Sequence, residues 1–342
     1  GTVRGRELQD LLLAHGDGGQ LMAELIERLF VTHLGTGEPP GDDSALLPPA
    51  TPQHRLVFTT DAFVVDPLFF PGGDIGKLAI CGTVNDLAVS GARPVWLSLS
   101  FIIEEGFLFE EFARILDSIA AASREAGVAI ATGDTKVVER GKADGLFINT
   151  SGIGMVPPGI ELSSANARPG DAVILNGRIG EHGLTLLSRR EGIDFGSALE
   201  SDCAPLSLLI VPLLERFKTI RAMRDATRGG LASILNEIAV DSAACLRLDE
   251  RSIPVSRTVR SACELMGYDP LHIANEGKFA TVVGMEEAEG VLAFMRSHPL
   301  GSEAALIGEV AAEPPGVVVL RTIFGGERVV DVPYGDILPR IC

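Results

Sequence analysis

A thiol near one end and carboxylates set in small-residue turns are the side chains of this chain best placed to do chemistry. The thiol is Cys342, closing the run Pro339-Arg340-Ile341-Cys342. Pro333, Gly335 and Pro339 disfavour a helix there and favour an extended, semi-rigid arm, which suits a sulfur carried between sites. A frayed end with an incidental cysteine would read the same way. Among the acids, Asp43 lies in Gly41-Asp42-Asp43-Ser44-Ala45, where a turn presents two adjacent carboxylates. Their repulsion is relieved by a bound cation, or by solvent if the element is only an Asx turn. Asp61 follows the β-rich run Leu56–Thr60, at a strand end where α/β proteins bind ligands and where an acid can also cap a turn.

Asn85-Asp86 interrupts an otherwise apolar helical pattern, so both must be paired or face a polar cleft; burial without partners would cost about 1–3 kcal/mol per group. Asp225 opens Asp225-Ala226-Thr227-Arg228-Gly229-Gly230 ahead of a helix. An N-cap accounts for Asp225, while Arg228 with Gly229 and Gly230 forms the kind of helix start that receives a phosphate. Asp134 and Lys136 share Thr132-Gly133-Asp134-Thr135-Lys136 on a β-rich flank. That lysine could meet a phosphate or accept a proton if its charge is disfavoured, or it is solvated surface. Asn275-Glu276-Gly277 reads as a loop. Glu181-His182-Gly183 reads as a loop entering a helix, with no fixed partner for the imidazole. Neither GxxxxGK[ST] nor a strand-to-helix GxGxxG is present, so no Walker or Rossmann site is supported.

The elements that must hold these residues alternate. Helices are predicted at Gln20–Val31, Ile75–Ser90, Phe109–Ala126, Leu184–Arg190, Leu206–Phe217, Leu231–Val240 and Glu287–Ser297, and strands at Leu56–Thr60, Val95–Ile103, Leu146–Met155, Ala172–Leu175, Ala280–Val283 and Ala305–Val310. The proline-rich stretch on either side of Asp43 is expected to be loop. Pro157-Pro158-Gly159 and Arg168-Pro169-Gly170-Asp171 bracket a domain boundary. The expected organisation is a segment 1–40 with a helix, a nucleotide-binding domain 41–157, an α/β domain 168–312, and strands with a mobile Cys-bearing tail at 313–342. Several β runs lie too close together for crossover helices, which points to an α+β chain, α/β-type in its two domains, with helices on one sheet face.

Its 342 residues are 46% hydrophobic, enough for a large core. No apolar run approaches the ~20 residues of a membrane span, and no secretion signal is evident at the start. Five scattered cysteines without a CxxC pair favour a reducing, cytoplasmic setting over zinc or disulfides; Cys81, Cys203, Cys245 and Cys263 read as packed thiols. With 46 acidic against 29 basic residues and a net charge of −17, nucleic acid and anionic membranes are excluded as partners. A nucleotide would be tolerated only where cations gather the carboxylates.

In order, Gly41-Asp42-Asp43, Thr60-Asp61, Pro71-Gly72-Gly73-Asp74, Asn85-Asp86-Leu87-Ala88, Thr132-Gly133-Asp134-Thr135-Lys136, Asp225 to Gly230, Ala274-Asn275-Glu276-Gly277-Lys278 and Pro339-Arg340-Ile341-Cys342 closely resemble the HypE family of hydrogenase maturation factors, nearly end to end. The family's superfamily includes aminoimidazole ribonucleotide synthetase, selenophosphate synthetase and thiamine-monophosphate kinase. The aspartates are common to all of these; the Pro-Arg-Ile-Cys ending discriminates. The resemblance implies a PurM-like fold whose N-terminal sheets pair into a homodimer. It also implies ATP-dependent dehydration of a thiocarboxamide on Cys342 to a thiocyanate. The carbamoyl group would come from a HypF-like transferase, and the cyanide would pass to iron held by HypC and HypD. On this resemblance Asp43, Asp61, Asp86 and Asp225 hold Mg2+ on the ATP phosphates, and Asp134 adds to them or orients Lys136. Arg228, Gly229 and Gly230 steady a phosphate, and Lys136 or Glu276 takes the amide proton. A superfamily kinase or synthetase, or a non-enzymatic ATP-responsive scaffold, would share the aspartates without needing the thiol.

Overall fold

The computed structural model describes residues 20, 45–51, 54–193, 195, 199–332, 338 and 340–342. Most of the helix expected at Gln20–Val31, and the Asp42-Asp43 turn, lie outside these residues.

The first half contains β1 (Ala45–Thr51), β2 (His54–Phe63), the short pair β3 (Phe69–Phe70) and β4 (Gly73–Asp74), helix α1 (Ile75–Val89), β5 (Arg93–Glu104), helix α2 (Phe109–Ala126), β6 (Ala129–Val138) and β7 (Leu146–Val156). Five strands form a sheet in the order β1-β2-β7-β5-β6, antiparallel except for β5–β6, which α2 joins as a parallel pair. β1 differs from expectation. Pro48 and Pro49 had suggested loop, but β1 is an edge strand with a register shift between Leu47 and Thr51, a place where missing N–H donors are tolerated.

Along β2, Val57, Thr59 and Phe63 are buried while Phe58, Thr60 and Ala62 are exposed, the two-residue period of a strand with one covered face. α1 covers that face. It starts at Asp74, whose carboxylate accepts from the Gly76 and Lys77 amides at 2.7 and 3.0 Å. Every residue of α1 is buried except Lys77 and Asp86, because the helix lies between the first sheet and the second half of the chain.

The second half runs β8 (Ala172–Leu175), α3 (Glu181–Glu191), α4 (Ser207–Arg216), β9 (Ile220–Asp225), α5 (Gly230–Ser242), β10 (Cys245–Asp249), α6 (Arg257–Met266), β11 (Phe279–Val283), α7 (Met285–Arg296), β12 (Ala305–Ala311), β13 (Val317–Arg321) and β14 (Glu327–Val329). Seven strands align as β14-β13-β10-β12-β8-β11-β9. Both faces of this sheet carry helices, where one had been expected. Val173, Leu175, Ala280 and Val282 pack with α5, and Ala172, Ile174 and Val283 pack with α4 and α7. The apolar run of β8 is buried throughout, as a doubly covered strand requires.

A third apolar cluster joins the halves. It runs from Phe63 and α1 through Leu184 of α3 and Val259 of α6 to Leu338 and Ile341, so the C-terminal segment is part of the core. No helix among the described residues is long and apolar enough to cross a membrane.

Candidate active site

Two carboxylates meet where β2 lies against α1. Thr59 and Asp61 share the covered face of β2, and Thr59 Oγ1 donates to Asp86 Oδ2 at 2.9 Å. Gly82, one helical turn before Asp86, supplies the clearance. A Cβ there would stand 2.9 Å from the Phe63 ring and 3.6 Å from Asp61 Oδ2. Asn85 faces the other half. Its Oδ1 accepts from the Leu206 amide at 2.7 Å, and its Nδ2 donates to the carbonyls of Ala204 and Glu276 at 3.1 and 3.2 Å. Asn85 is thus buried with its polar atoms paired, and Asp86 is half-buried and accepts from Thr59, so both have the partners their sequence context requires.

Glu276 sits in the loop before β11, held from every side. The Asn275 amide donates to the Ala226 carbonyl at 3.0 Å, and its side chain donates there too while accepting from the Gly180 amide at 2.7 Å. Asp202 accepts from the amides of Glu276 at 3.0 Å and Gly277 at 3.2 Å and forms a 3.0 Å ion pair with Lys278. Burial alone would raise the Asp202 pKa; the Lys278 ammonium and the Glu276 amide hold it below the usual range. The Glu276 side chain is buried, and its Oε1 has no hydrogen-bond partner among the described residues. Burial, followed by the charges of Cys203, Asp225, Asp61 and Asp202, pushes its pKa well above the normal carboxylate value. A rigidly mounted carboxyl group with a spare oxygen and acids around it is the arrangement of a tuned proton acceptor.

Asp225 is buried at the end of β9, opposite Phe279 of β11, and Arg228 is half-buried in the turn before α5. The double glycine has a packing cause. Gly229 has φ 76° and Gly230 φ 64°, and a Cβ on Gly230 would meet the Leu271 and Ile273 carbonyl oxygens at 2.5 and 2.7 Å. The Gly230 N–H donates to the Thr227 carbonyl at 2.9 Å, so that amide is already engaged within the turn.

Asp134 and Lys136 stand elsewhere. Across the sheet Asp61 is level with Thr150, Leu99 and Gly133, on the covered face. Asp134 is level with Ser100 and Asn149, and Lys136 with Ile102, on the opposite face, which no described helix covers. They lie three strands from Asp61, roughly 14 Å at the usual strand spacing. There they pair with each other at 2.9 Å, both exposed. Within one chain, the structure brings together Asp61, Asp86, Asp225 and Glu276 and leaves Lys136 and Asp134 outside.

Among the described residues no three Asp, Glu, His or Cys side chains converge closely enough to hold a metal ion; Asp43 lies outside those residues. The carboxylates of Asp61, Asp86 and Asp225 still offer the hard oxygens that suit magnesium. That ion is commonly held by one or two carboxylates, its remaining positions filled by phosphate and water.

The C-terminal segment docks beside this cluster. The Val64 amide donates to the Cys342 carbonyl and the Asp66 amide to the Arg340 carbonyl, each at 3.1 Å, so the tail lies along the chain leaving β2 in the manner of an added strand. Arg190 Nη2 reaches the carbonyls of Asp66 and Arg340 at 2.8 and 2.9 Å, and the Arg340 guanidinium pairs with Asp144. Cys342 is half-buried. His182 corrects the sequence expectation: it belongs to the first turn of α3, is fully buried, and has fixed partners in Ser201 and the Ile341 carbonyl. Sequence reasoning also passed over Asp202. The available signals were the paired glycines around His182 and the need of the Asn275–Lys278 loop for an acceptor. The other cysteines are buried, as expected, with Cys81 and Cys203 hydrogen-bonded to each other.

Residues 41–156 match the AIR synthase related protein, N-terminal domain, and residues 168–321 the AIR synthase related protein, C-terminal domain. The carbamoyl dehydratase HypE of Rhizobium leguminosarum bv. viciae is 53% identical over 333 residues, which cover 96% of this chain and 94% of that protein. A solved HypE–HypF complex has a chain matching at TM-score 0.85 and 47% identity, over 90% of this chain and 99% of that one. A HypE solved in complex with ATP matches at TM-score 0.82 and 45% identity, over 97% and 100%.

Proposed function

We propose how this chain works from one premise: it belongs to the HypE family of carbamoyl dehydratases, within the AIR synthase related proteins. Its substrate is a thiocarboxamide on its own Cys342, its co-substrate is ATP, and its product is a thiocyanate whose cyanide becomes an iron ligand of [NiFe]-hydrogenase. The observation that carries this assignment is the docked tail, which leaves Cys342 half-buried at the end of a segment packed into the same core as α1 and α3.

The chemistry follows from the leaving group. An amide oxygen departs poorly, so it first attacks the γ-phosphorus of ATP; ADP leaves and one N–H proton passes to solvent, giving an O-phosphorylated imidate on sulfur. Loss of the remaining nitrogen proton then breaks the C–O bond, expels phosphate and closes the C≡N bond. Because the reacting group is tethered, its delivery is intramolecular. Glu276 takes the nitrogen proton; its clamped backbone and unpartnered Oε1 favour it over Lys136 for that role within one protomer. Asp61, Asp86 and Asp225, with Asp43, hold Mg2+, which supplies charge neutralisation on the phosphates. Arg228 and Gly229 contact phosphate.

The partners proposed are a HypF-like carbamoyltransferase as donor, a HypC–HypD complex as acceptor, and a second copy of this chain. The second copy answers to the sheet face that no described helix covers. Phe58, Trp96 and Ile102 are exposed on that face, and β6 leaves Ile130 and Val137 exposed at its open edge. In a homodimer built on that face, Lys136 and Asp134 serve the partner's site.

The test is the mass of the tail peptide after enzymatic carbamoylation, with and without ATP and magnesium. Loss of one water from Cys342 only with ATP is the expected result, and Cys342→Ala abolishes product. ATP turnover that survives in Cys342→Ala, with the carbamoyl group untouched in the parent protein, would return the chain to the kinase or scaffold alternatives.

A further inference from the structure

The tail's contact with α3 has a built receptor. His182 is fully buried, its ring edge-on to Phe70 with centroids 5.6 Å apart. Its Nε2 is 2.8 Å from the Ile341 carbonyl and its Nδ1 is 2.7 Å from Ser201 Oγ. A carbonyl can only accept, so Nε2 carries the proton and donates. Burial disfavours the imidazolium. In the neutral ring Nδ1 then accepts from the Ser201 hydroxyl, whose oxygen in turn accepts from the Cys203 amide at 3.1 Å. Every atom in the chain Cys203 N–H, Ser201 O–H, His182, Ile341 carbonyl therefore has one consistent role.

Two neighbours on the same helix complete the receptor. Gly183 leaves space for the tail, since a Cβ there would lie 3.0 Å from Leu338 Cδ1 and 2.7 Å from Ile273 Cγ2. Arg190, two turns on from His182, binds the Arg340 carbonyl. Meanwhile the residue between Ser201 and Cys203 is Asp202, whose carboxylate fixes the Glu276 and Gly277 amides. One three-residue segment thus holds the imidazole that grips the tail and the loop that mounts the proton acceptor.

We propose, building on the dehydratase reading, that His182 is a positioning residue: a neutral imidazole latch that sets the Cys342 cargo in register with Glu276 through Ser201-Asp202-Cys203. It grips the peptide carbonyl before the cysteine, not the sulfur that carries the carbamoyl group.

The experiment compares the full-length protein with His182→Leu, His182→Gln and Ser201→Ala. Tail docking is read first as the alkylation rate of uncarbamoylated Cys342, followed on the tail peptide by mass spectrometry. Loss of the latch in His182→Leu should raise that rate about five- to tenfold, the weight of one neutral hydrogen bond. Gln, which can place a donor where Nε2 stood, should recover most of the difference. Ser201→Ala, a small truncation, keeps the question answerable if the leucine variant does not fold, and should fall between. ATP-dependent water loss from carbamoylated Cys342 should slow in the same order, while the carbamoylation step, which needs the tail released, should not slow. Unchanged alkylation in His182→Leu and Ser201→Ala, or raised alkylation with undiminished water loss, overturns the latch. The alkylation arm needs neither transferase nor ATP, so it judges the latch even where a parent protein that never loses water has overturned the dehydratase reading.

Discussion

At the scale of single residues, the proposed site depends on a carboxyl group kept under electrostatic pressure. Glu276 gathers burial and four like-charged or ionisable neighbours, so in the metal-free protein its proton stays on well above the 4.5 of an ordinary glutamate. The unfolded chain releases that proton near the ordinary value, so between the two pKa values each pH unit removes about 1.4 kcal/mol of stability. The contribution is present below the unfolded pKa and is lost as pH rises toward the folded one. Glu276→Gln has no proton to lose and keeps the shape. It should therefore melt increasingly above the parent protein as pH is raised from about 5 to about 8 in chelator, while its dehydration rate falls by about 10²-fold or more, the usual worth of a general base. Thermal melts across that pH series decide the first point, and a melting difference that stays flat with pH would show that the acids around Glu276 do not act on it. Cations near Asp61 and Asp225 offset two of the charges that retain the proton, so added magnesium should narrow the difference.

At the scale of elements, Gly183 separates tail docking from helix propensity. In an exposed helix interior Gly→Ala gains about 1 kcal/mol, but here the added methyl meets Leu338 and Ile273, and overpacking of this kind costs about 1–3 kcal/mol. Gly183→Ala should lower the melting temperature and raise the alkylation rate of Cys342; a stabilised protein with an unreactive thiol would show the tail is not seated there. Elements with a clean period were legible in the sequence: α2 was bounded to the residue, and β8 within an apolar run, because one buried stripe or two buried faces write themselves into residue order. Elements whose cause is tertiary were not. β1 carries two prolines and exists because β2 offers it an edge, while β9, β10 and α6 were not separated from their surroundings. The same division runs through the site. Asn85-Asp86 announced itself as a polar break in an apolar helix, whereas His182 and Asp202 acquire meaning only from a tail and a loop that lie 159 and 74 residues further along.

At the scale of the whole molecule, the sheet divides the candidate residues into two sets that one chain cannot unite. Asp61, Asp86 and Glu276 belong to the covered side, while Lys136 and Asp134 lie across the sheet on the open face, beside Ile102 and the exposed edge β6. If that face is where two copies meet, each complete site draws Lys136 from its neighbour, and this has a quantitative consequence. Lys136→Ala and Glu276→Gln should each be inactive alone. Mixed in equal amounts and allowed to exchange subunits, half of the dimers are heterodimers in which one site carries both changes and the other neither, so about a quarter of the parent activity should return. Sites built within one chain would give no recovery, because every site would keep one defect. Trp96→Glu places a charge on the apolar face without touching the covered side. In sedimentation it should shift the protein from dimer to monomer, and in the mixing experiment it should abolish the recovery. A Trp96→Glu monomer that keeps full activity would place Lys136 outside the chemistry altogether, leaving Glu276 and the tail latch to do the work within a single chain.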